Sequence, residues 1–265
     1  MSVRAMLKLP REHGAWAMLY VPMVTGLLVA RAFPLRVLLF VLSATFLFIA
    51  RESSVVWWRS HRRGEHRVES LQRLMVYLVL GGLSIAPLVF IDRLYLLVPL
   101  GLAALLLLAF NAEQAAKRED RKIFAEILAI AGLTMTAPAA YYVARGEWQA
   151  PAFWLWLLSA FFFISSVFYV RLRVNLISSR RQGEFKRAWR RCASYHAVLL
   201  VSLSLLTASD RLSFFALAAF GPAITRACWS LVKPGRQLNL KRLGLLEIVY
   251  SVVFLTFITL TFRNA

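Results

Sequence analysis

Long apolar runs separated by short polar stretches dominate the chain. Nine such runs cover residues 14–30, 37–50, 74–91, 94–110, 123–144, 151–170, 193–208, 212–229 and 243–262. A bilayer span needs roughly 20 apolar residues, and backbone groups in lipid must be hydrogen-bonded within their own segment, so each run is predicted to be a transmembrane helix. The second run is short unless its helix continues through Glu52 to Trp58.

This pattern predicts an all-α polytopic membrane protein with a single transmembrane domain over residues 1–265. The polar stretches at about 51–73, 111–122, 171–192 and 230–242 are its predicted cytoplasmic loops. Gly81, Gly82, Pro87 and Pro138 lie inside apolar runs, where they predict kinks or points of close helix packing.

Composition agrees with a membrane protein, since 60% of the residues are hydrophobic and soluble domains usually hold about 45–50%. Nine helices with short loops use the whole chain and leave no room for a separate soluble domain. The run that follows the basic segment 1–11 lacks a convincing small-residue cleavage site, so we expect a retained first helix.

The net charge of +19 is distributed unevenly between the predicted sides of the membrane. The N-terminus and the stretches after every second run contain 26 of the 32 Lys and Arg residues. Basic residues favour the cytoplasmic side, so we expect the N-terminus inside and the C-terminus outside. Apolar runs separate the basic residues along the chain, which disfavours nucleic-acid binding because that function needs a continuous basic face.

The first candidate site is the cluster Arg11, Glu12, His13, Gly14 and Trp16 at the start of the first run. Glu12 and His13 are predicted catalytic residues because they can exchange protons, and Arg11 is a predicted substrate ligand. The alternative is that the cluster caps the helix and anchors it at the interface.

Three further polar groups follow other runs. Arg51 and Glu52 follow the second run, with Arg51 as a predicted substrate ligand and Glu52 as a predicted base or cation ligand; the alternative is an interfacial ion pair. Asn111, Lys117 and Arg118 follow the fourth run and are predicted substrate ligands. The basic pair can bind phosphate, or it can simply fix topology.

The last group, Arg171, Arg173 and Asn175, follows the sixth run. Arginine and amide groups below an apolar wall suit a molecule with an apolar tail and an anionic head, and the alternative is positive-inside charge. His196 is predicted to be a hydrogen-bonded packing residue, and Glu126 and Glu247 are each predicted to cap a helix or to interact with its dipole.

No motif indicates a cofactor. Cys192 and Cys228 have no metal-ligand spacing, and neither a P-loop nor an HExxH motif occurs. We therefore predict no metal site.

The sequence PREHGAW at 10–16, followed by the nine-run pattern, resembles the YwiC-like family of bacterial membrane proteins across essentially the whole chain. A more distant architectural resemblance is to UbiA-type intramembrane prenyltransferases, which have nine helices and functional loops after the second and sixth. The stretch 111–144, with Lys117 and Arg118 ahead of the fifth run, is similar to the corresponding part of those enzymes.

The UbiA resemblance implies a diverged transferase, but its aspartate-rich magnesium motifs are missing. The matching positions hold Arg51, Glu52 and Ser53, and Arg171, Arg173 and Asn175. Magnesium sites need carboxylates, whereas arginine binds phosphate oxygens directly.

Three functions remain open from the sequence. The first is binding or modification of an amphipathic anionic lipid or isoprenoid in a cavity open to the cytoplasmic face, with arginines in place of magnesium. The second is transport of a small anion or metabolite, for which Thr134, Thr136 and Pro138 are the main polar features at mid-membrane. The third is a non-catalytic role beside a membrane protein partner. Membrane lipids are the expected surroundings in each case.

Overall fold

A computed structural model describes residues 13–62, 68–116, 123–177, 182–233 and 240–263. The described chain is helical, with no strand in these ranges. Its helices are α1 (His13–Ala30), α2 (Arg36–Arg62), α3 (Val68–Phe90), α4 (Leu97–Ala116), α5 (Ile123–Thr134), α6 (Thr136–Arg145), α7 (Ala150–Ile177), α8 (Gln182–Ala208), α9 (Phe214–Val232) and α10 (Leu240–Thr261). This confirms the all-α prediction.

Seven described spans are long and apolar enough to cross a membrane: Arg36–His61, Val68–Phe90, Ile123–Arg145, Ala150–Leu176, Gly183–Ala208, Phe214–Val232 and Gly244–Thr261. Two shorter apolar helices, Gly14–Ala30 and Leu97–Asn111, correspond to the first and fourth predicted runs. A multi-pass membrane protein is therefore supported by length and composition.

The helices extend further than the apolar runs. α2 continues to Arg62 and includes Glu52 and Trp58, so the short second run is part of a helix long enough to cross a membrane. α8 begins at Gln182, well before the seventh apolar run. Much of the predicted loops at 51–73 and 171–192 is therefore helical. Helical hydrogen bonding does not depend on apolar side chains, so a helix can continue where its sequence becomes basic.

The chain forms two compact units, residues 1–156 and 157–265, and the division falls within α7. No change in composition marks this point in the sequence. The predicted single transmembrane domain stays a prediction, and each unit is described separately below.

In unit 1, α2 packs against α3, α4 and α6, and α1 packs along α5 and α6. Ser43 donates a hydrogen bond to the carbonyl of Gly81, at 2.9 Å, where α2 and α3 approach closely. This bears out close packing at Gly81, whereas a Cβ at Gly82 would meet open space.

The span Ile123–Arg145 is interrupted at Met135, which separates α5 from α6. Pro138 lacks an N–H and cannot bond the carbonyl four residues earlier, so the interruption has a local cause. Thr136 Oγ1 lies 2.8 Å from the carbonyl of Leu19 in α1 and 2.9 Å from that of Leu133. Trp156 Nε1 donates to the carbonyl of Ala131, at 2.9 Å.

In unit 2, three buried phenylalanines form the core between α7, α9 and α10. The ring centroids of Phe162 and Phe254 lie 4.3 Å apart, and Phe220 meets both rings nearly edge-on. Tyr195 of α8 donates to the carbonyl of Phe161, at 2.8 Å, which fastens α8 to α7.

Candidate functional site

The start of α1 lies against the middle of α2. The rings of Trp16 and Phe48 meet edge-on with centroids 4.7 Å apart, and Tyr20 Oη lies 2.8 Å from Thr45 Oγ1. Phe48 precedes Glu52 by one helical turn. The described part of the first predicted cluster is thus at the same end of unit 1 as Glu52.

Several predicted residues near this end fall outside the description. Arg11 and Glu12 lie outside the described residues, and His13 begins α1 with its side chain undescribed. Glu52 is exposed, and the carbonyl of the partly buried Arg51 accepts a hydrogen bond from Ser54, at 2.7 Å. The catalytic roles of Glu12, His13 and Glu52 stay predictions.

The amides of the two predicted asparagine ligands bond to their own helices. Asn111 Nδ2 donates to the carbonyl of Leu107, at 2.8 Å, and Asn175 Nδ2 donates to that of Arg171, at 2.9 Å. Each bond stabilises the helix and uses one of the two amide protons. Lys117 and Arg118, predicted beside Asn111, lie outside the described residues.

The end of α7 meets the start of α8 and the end of α9. Arg171 and Arg173 are partly buried and flank Leu172, which is buried together with Cys192 and Ala227. Through this small apolar cluster, α7, α8 and α9 contact one another at one end of unit 2.

The start of α8 presents a row of basic side chains at this end. Lys186, Arg187, Arg190 and Arg191 are all exposed, and together they are called the α8 basic surface.

Two indoles lie beside the α8 basic surface. Trp189 Nε1 donates to the carbonyl of Leu231 in α9, at 3.2 Å. Lys233 Nζ lies 5.1 Å from the ring centroid of Trp229, which is largely exposed. Tryptophan concentrates at the membrane–water interface, so these indoles indicate the headgroup level.

A partly buried ion pair joins α9 and α10 further along the helices. Arg226 donates from Nη1 to Glu247 Oε1 and from Nη2 to Glu247 Oε2, the second bond at 3.2 Å. Ser166 of α7 completes the group: its Oγ donates to Glu247 Oε2, at 2.7 Å, and accepts from Arg226 Nη2, at 3.0 Å. This arrangement is called the Arg226 cluster.

Two tyrosines enclose the guanidinium of the Arg226 cluster. Its Cζ lies 4.3 Å from the ring centroid of Tyr169 and 4.7 Å from that of Tyr250. Aromatic faces attract cations most strongly where water is excluded, so the rings favour a charged guanidinium at this position.

Sequence reasoning missed this cluster. Arg226 was assigned to the basic residues of a cytoplasmic loop, and Glu247 was predicted to cap a helix or to interact with its dipole. In the structure the two residues instead form an ion pair between two helices. A tally of charge cannot detect burial, and α10 begins at Leu240, too early for Glu247 to cap it. The available signal was that both charges lie inside apolar runs, where ionisable residues are costly.

His196 is a buried, hydrogen-bonded packing residue, as predicted. Its Nε2 lies 2.9 Å from Ser165 Oγ, and its Nδ1 lies 2.8 Å from the carbonyl of Cys192. Ser165 has no exposed surface, so these contacts join α7 to α8 rather than open a reactive site. Among the described residues, no group of three or more His, Cys, Asp and Glu side chains is arranged to hold a metal ion.

These features define a multi-pass helical membrane protein with basic helix ends and a partly buried ion pair. A family model described as "YwiC-like protein" matches residues 9–141, and the chain belongs to that family. "Uncharacterized protein YwiC" of Bacillus subtilis (strain 168) is 28% identical over 256 residues, which cover 93% of this chain and 95% of the relative. No solved structure matches the chain.

The comparisons confirm the resemblance to the YwiC-like family. They do not show the more distant UbiA resemblance, which stays a prediction.

Proposed function

We propose that this protein binds an amphipathic anionic lipid or isoprenoid at the basic end of unit 2, on the cytoplasmic face of a bacterial inner membrane. The observation that carries the proposal is the α8 basic surface, whose exposed cations adjoin the interfacial indole Trp189. Basic side chains at this level attract anionic head groups, while the apolar helices next to them accept a tail.

The arginines of α7 support the same site. Arg171 and Arg173 reach the basic end through the contact of Leu172 with Cys192. Guanidinium groups bind phosphate oxygens bidentately without a metal ion, so binding independent of magnesium is the expected behaviour.

The proposal includes nine membrane crossings with the N-terminus inside. α5 and α6 together form one span, and α1 and α4 contain 18 and 20 residues. At 1.5 Å per residue these two helices measure about 27 and 30 Å, close to the roughly 30 Å hydrocarbon core of a bilayer. The 26 basic residues assigned to one side support this orientation.

The binding test is thermal stabilisation of the purified protein in detergent by farnesyl or geranylgeranyl diphosphate, with and without magnesium. The site variant is Arg171→Gln/Arg190→Gln, and its charge-matched control is Arg93→Gln/Arg211→Gln, on exposed turn residues. At about 1 kcal/mol per basic residue, the site variant should bind roughly 30-fold more weakly, with the control unchanged. Equal binding by both variants, or no stabilisation, would contradict the proposal.

Transport of a small anion or metabolite is the second candidate function. It is favoured by the interruption at Met135, because transporters often place substrate sites at broken helices. Uptake into proteoliposomes, compared between the native chain and Pro138→Ala, tests this alternative. Equal uptake by empty and protein-containing vesicles would rule it out for the solutes tried.

A further inference from the structure

Two turns of unit 1 meet at an ion pair. Arg36 is the first residue of α2, and its Nη1 lies 3.7 Å from Oδ1 of Asp92, in the turn between α3 and α4. At this separation the two groups attract each other as charges but are too far apart for a hydrogen bond. The two residues are called the Arg36–Asp92 pair.

The same guanidinium reaches a third connection, the turn after α6. Arg36 Nη2 donates to the carbonyl of Ala144, at 3.3 Å. Gly146 follows in the left-handed conformation, with φ 86°, and a Cβ there would lie 3.2 Å from Arg36 Nη2. Glycine at this position therefore lets the guanidinium approach the end of α6, which fixes the place of the Arg36–Asp92 pair within unit 1.

Both members of the pair have unused hydrogen-bonding capacity. A guanidinium has five N–H donors; within the described ranges Arg36 uses one of them, and its Nε is buried without a partner. A carboxylate has about four acceptor positions, and no described donor lies within hydrogen-bond distance of the Asp92 carboxylate. An ion pair bonded this incompletely favours a ligand that offers both an acceptor and a donor.

The surface around the pair meets lipid. Arg36 begins one candidate membrane span, and Asp92 follows the end of another by two residues, so both lie at the level of the lipid head groups. Their sequence neighbours Leu35 and Ile91 are 84% and 77% exposed, which is typical of a surface that contacts a membrane. The side chains of Arg36 and Asp92 are 25% and 31% exposed, so lipid head groups can reach them.

The charges of the pair indicate which head group it binds. The pair is neutral as a whole, so a ligand that balances it has one negative and one positive group. We propose that the Arg36–Asp92 pair binds the phosphoethanolamine head group of a membrane lipid, with the phosphodiester on Arg36 and the ammonium on Asp92. Guanidinium groups bind phosphate oxygens, and a primary ammonium offers three N–H donors to a carboxylate.

This site differs from the α8 basic surface in place and in chemistry. It lies in unit 1, and in the proposed orientation its turns are on the side away from the cytoplasm. The α8 basic surface attracts anionic head groups through its net positive charge, whereas the Arg36–Asp92 pair selects for a donor on the ligand. A head group without an amine N–H satisfies Arg36 alone and leaves Asp92 without a donor.

The test compares short-chain phosphatidylethanolamine with phosphatidylcholine of the same acyl chains, by thermal stabilisation of the full-length protein in neutral detergent near neutral pH. The two lipids share the phosphodiester and the positive charge, but choline has no N–H donor. A hydrogen bond between charged groups changes an equilibrium constant by roughly tenfold or more. The native chain should therefore bind phosphatidylethanolamine at least about tenfold more tightly, and the N-methyl and N,N-dimethyl lipids should bind with intermediate affinity.

Asp92→Asn removes the carboxylate and should bind the two lipids alike. The matched control is Asp210→Asn, which removes an exposed carboxylate from the turn between α8 and α9 and should keep the native preference. The double variant Arg36→Gln/Asp92→Asn removes both charges together and so avoids an unpaired cation. It should also show no preference, which keeps the test available if Asp92→Asn alone does not fold.

Soluble glycerophosphoethanolamine, the same head group without acyl chains, distinguishes two sources of the ligand. Stabilisation by this compound assigns binding to the free head group, and stabilisation by the lipid alone assigns it to the membrane lipid; either result supports the site if ethanolamine is preferred. Equal binding of phosphatidylethanolamine and phosphatidylcholine by the native chain would overturn the proposal. A preference that persists in Asp92→Asn would overturn it as well.

Discussion

Gly26 of α1 lies against the backbone of α6, and replacing it with alanine tests how closely these helices must pack. A Cβ added at Gly26 would lie 2.2 Å from the carbonyl oxygen of Ala137 and 3.1 Å from its carbonyl carbon. Both are backbone atoms, so no side-chain rotation relieves the clash. The helices must separate by about 1.2 Å, from 2.2 Å to the 3.4 Å where ordinary contact begins.

The magnitude follows from two opposing effects. Alanine in place of glycine normally stabilises a helix by roughly 0.5–1 kcal/mol, whereas overpacking costs typically about 1–3 kcal/mol. The hydrogen bond from Thr136 to Leu19 adds little, because the same hydroxyl lies 2.9 Å from the carbonyl of Leu133. Gly82→Ala is the matched control, since a Cβ there meets nothing within 4 Å.

Circular dichroism of the purified protein in detergent, followed during heating, measures the difference. The helix-propensity gain is common to both variants, so the overpacking cost of about 1–3 kcal/mol remains as the difference, and we expect Gly26→Ala to unfold roughly 2–12 °C below Gly82→Ala. A Tm for Gly26→Ala equal to or above that of Gly82→Ala would refute the close packing of α1 on α6.

Two further predictions concern orientation and the buried histidine. Alkaline phosphatase fused after Phe262 should be active outside the cytoplasm, and a fluorescent protein fused there should be dark; the reverse result would contradict nine crossings from an inside N-terminus. Ser165→Ala removes the hydroxyl beside His196 Nε2 and should lower stability by about 1–3 kcal/mol. Ser84→Ala, on a partly buried serine whose hydroxyl bonds to the carbonyl of Leu80 in its own helix, should change the Tm far less, and equal losses would count against the Ser165 contact.

Most of the helices could be predicted from the sequence because a backbone in lipid must form its hydrogen bonds within its own segment, and a helix does this. The residues at which the helices end were harder to predict. α2 and α8 extend well into basic stretches, where hydropathy falls but helical hydrogen bonding continues. The interruption at Met135 was partly foreseeable from Pro138, yet the contact of Thr136 with α1 depends on tertiary packing that no local pattern encodes.

The candidate site was predicted only in outline. The basic helix ends could be predicted because the positions of basic residues between successive apolar runs can be read directly from the sequence. The pairing of Arg226 with Glu247 joins residues 21 positions apart on different helices. The mean hydropathy of an apolar run hides a single charged residue within it. The ion pair can therefore be identified only when the packing of the helices is known.

Ser165 and Ser166 are neighbours on α7 but bond in different directions. Consecutive residues point about 100° apart around an α-helix, so one hydroxyl meets His196 of α8 while the other meets Arg226 and Glu247. Turning α7 about its own axis would break both contacts at once, and sliding it along its axis would do the same. The two serines therefore fix the rotational setting of α7 against α8 on one side and against the ion pair of α9 and α10 on the other.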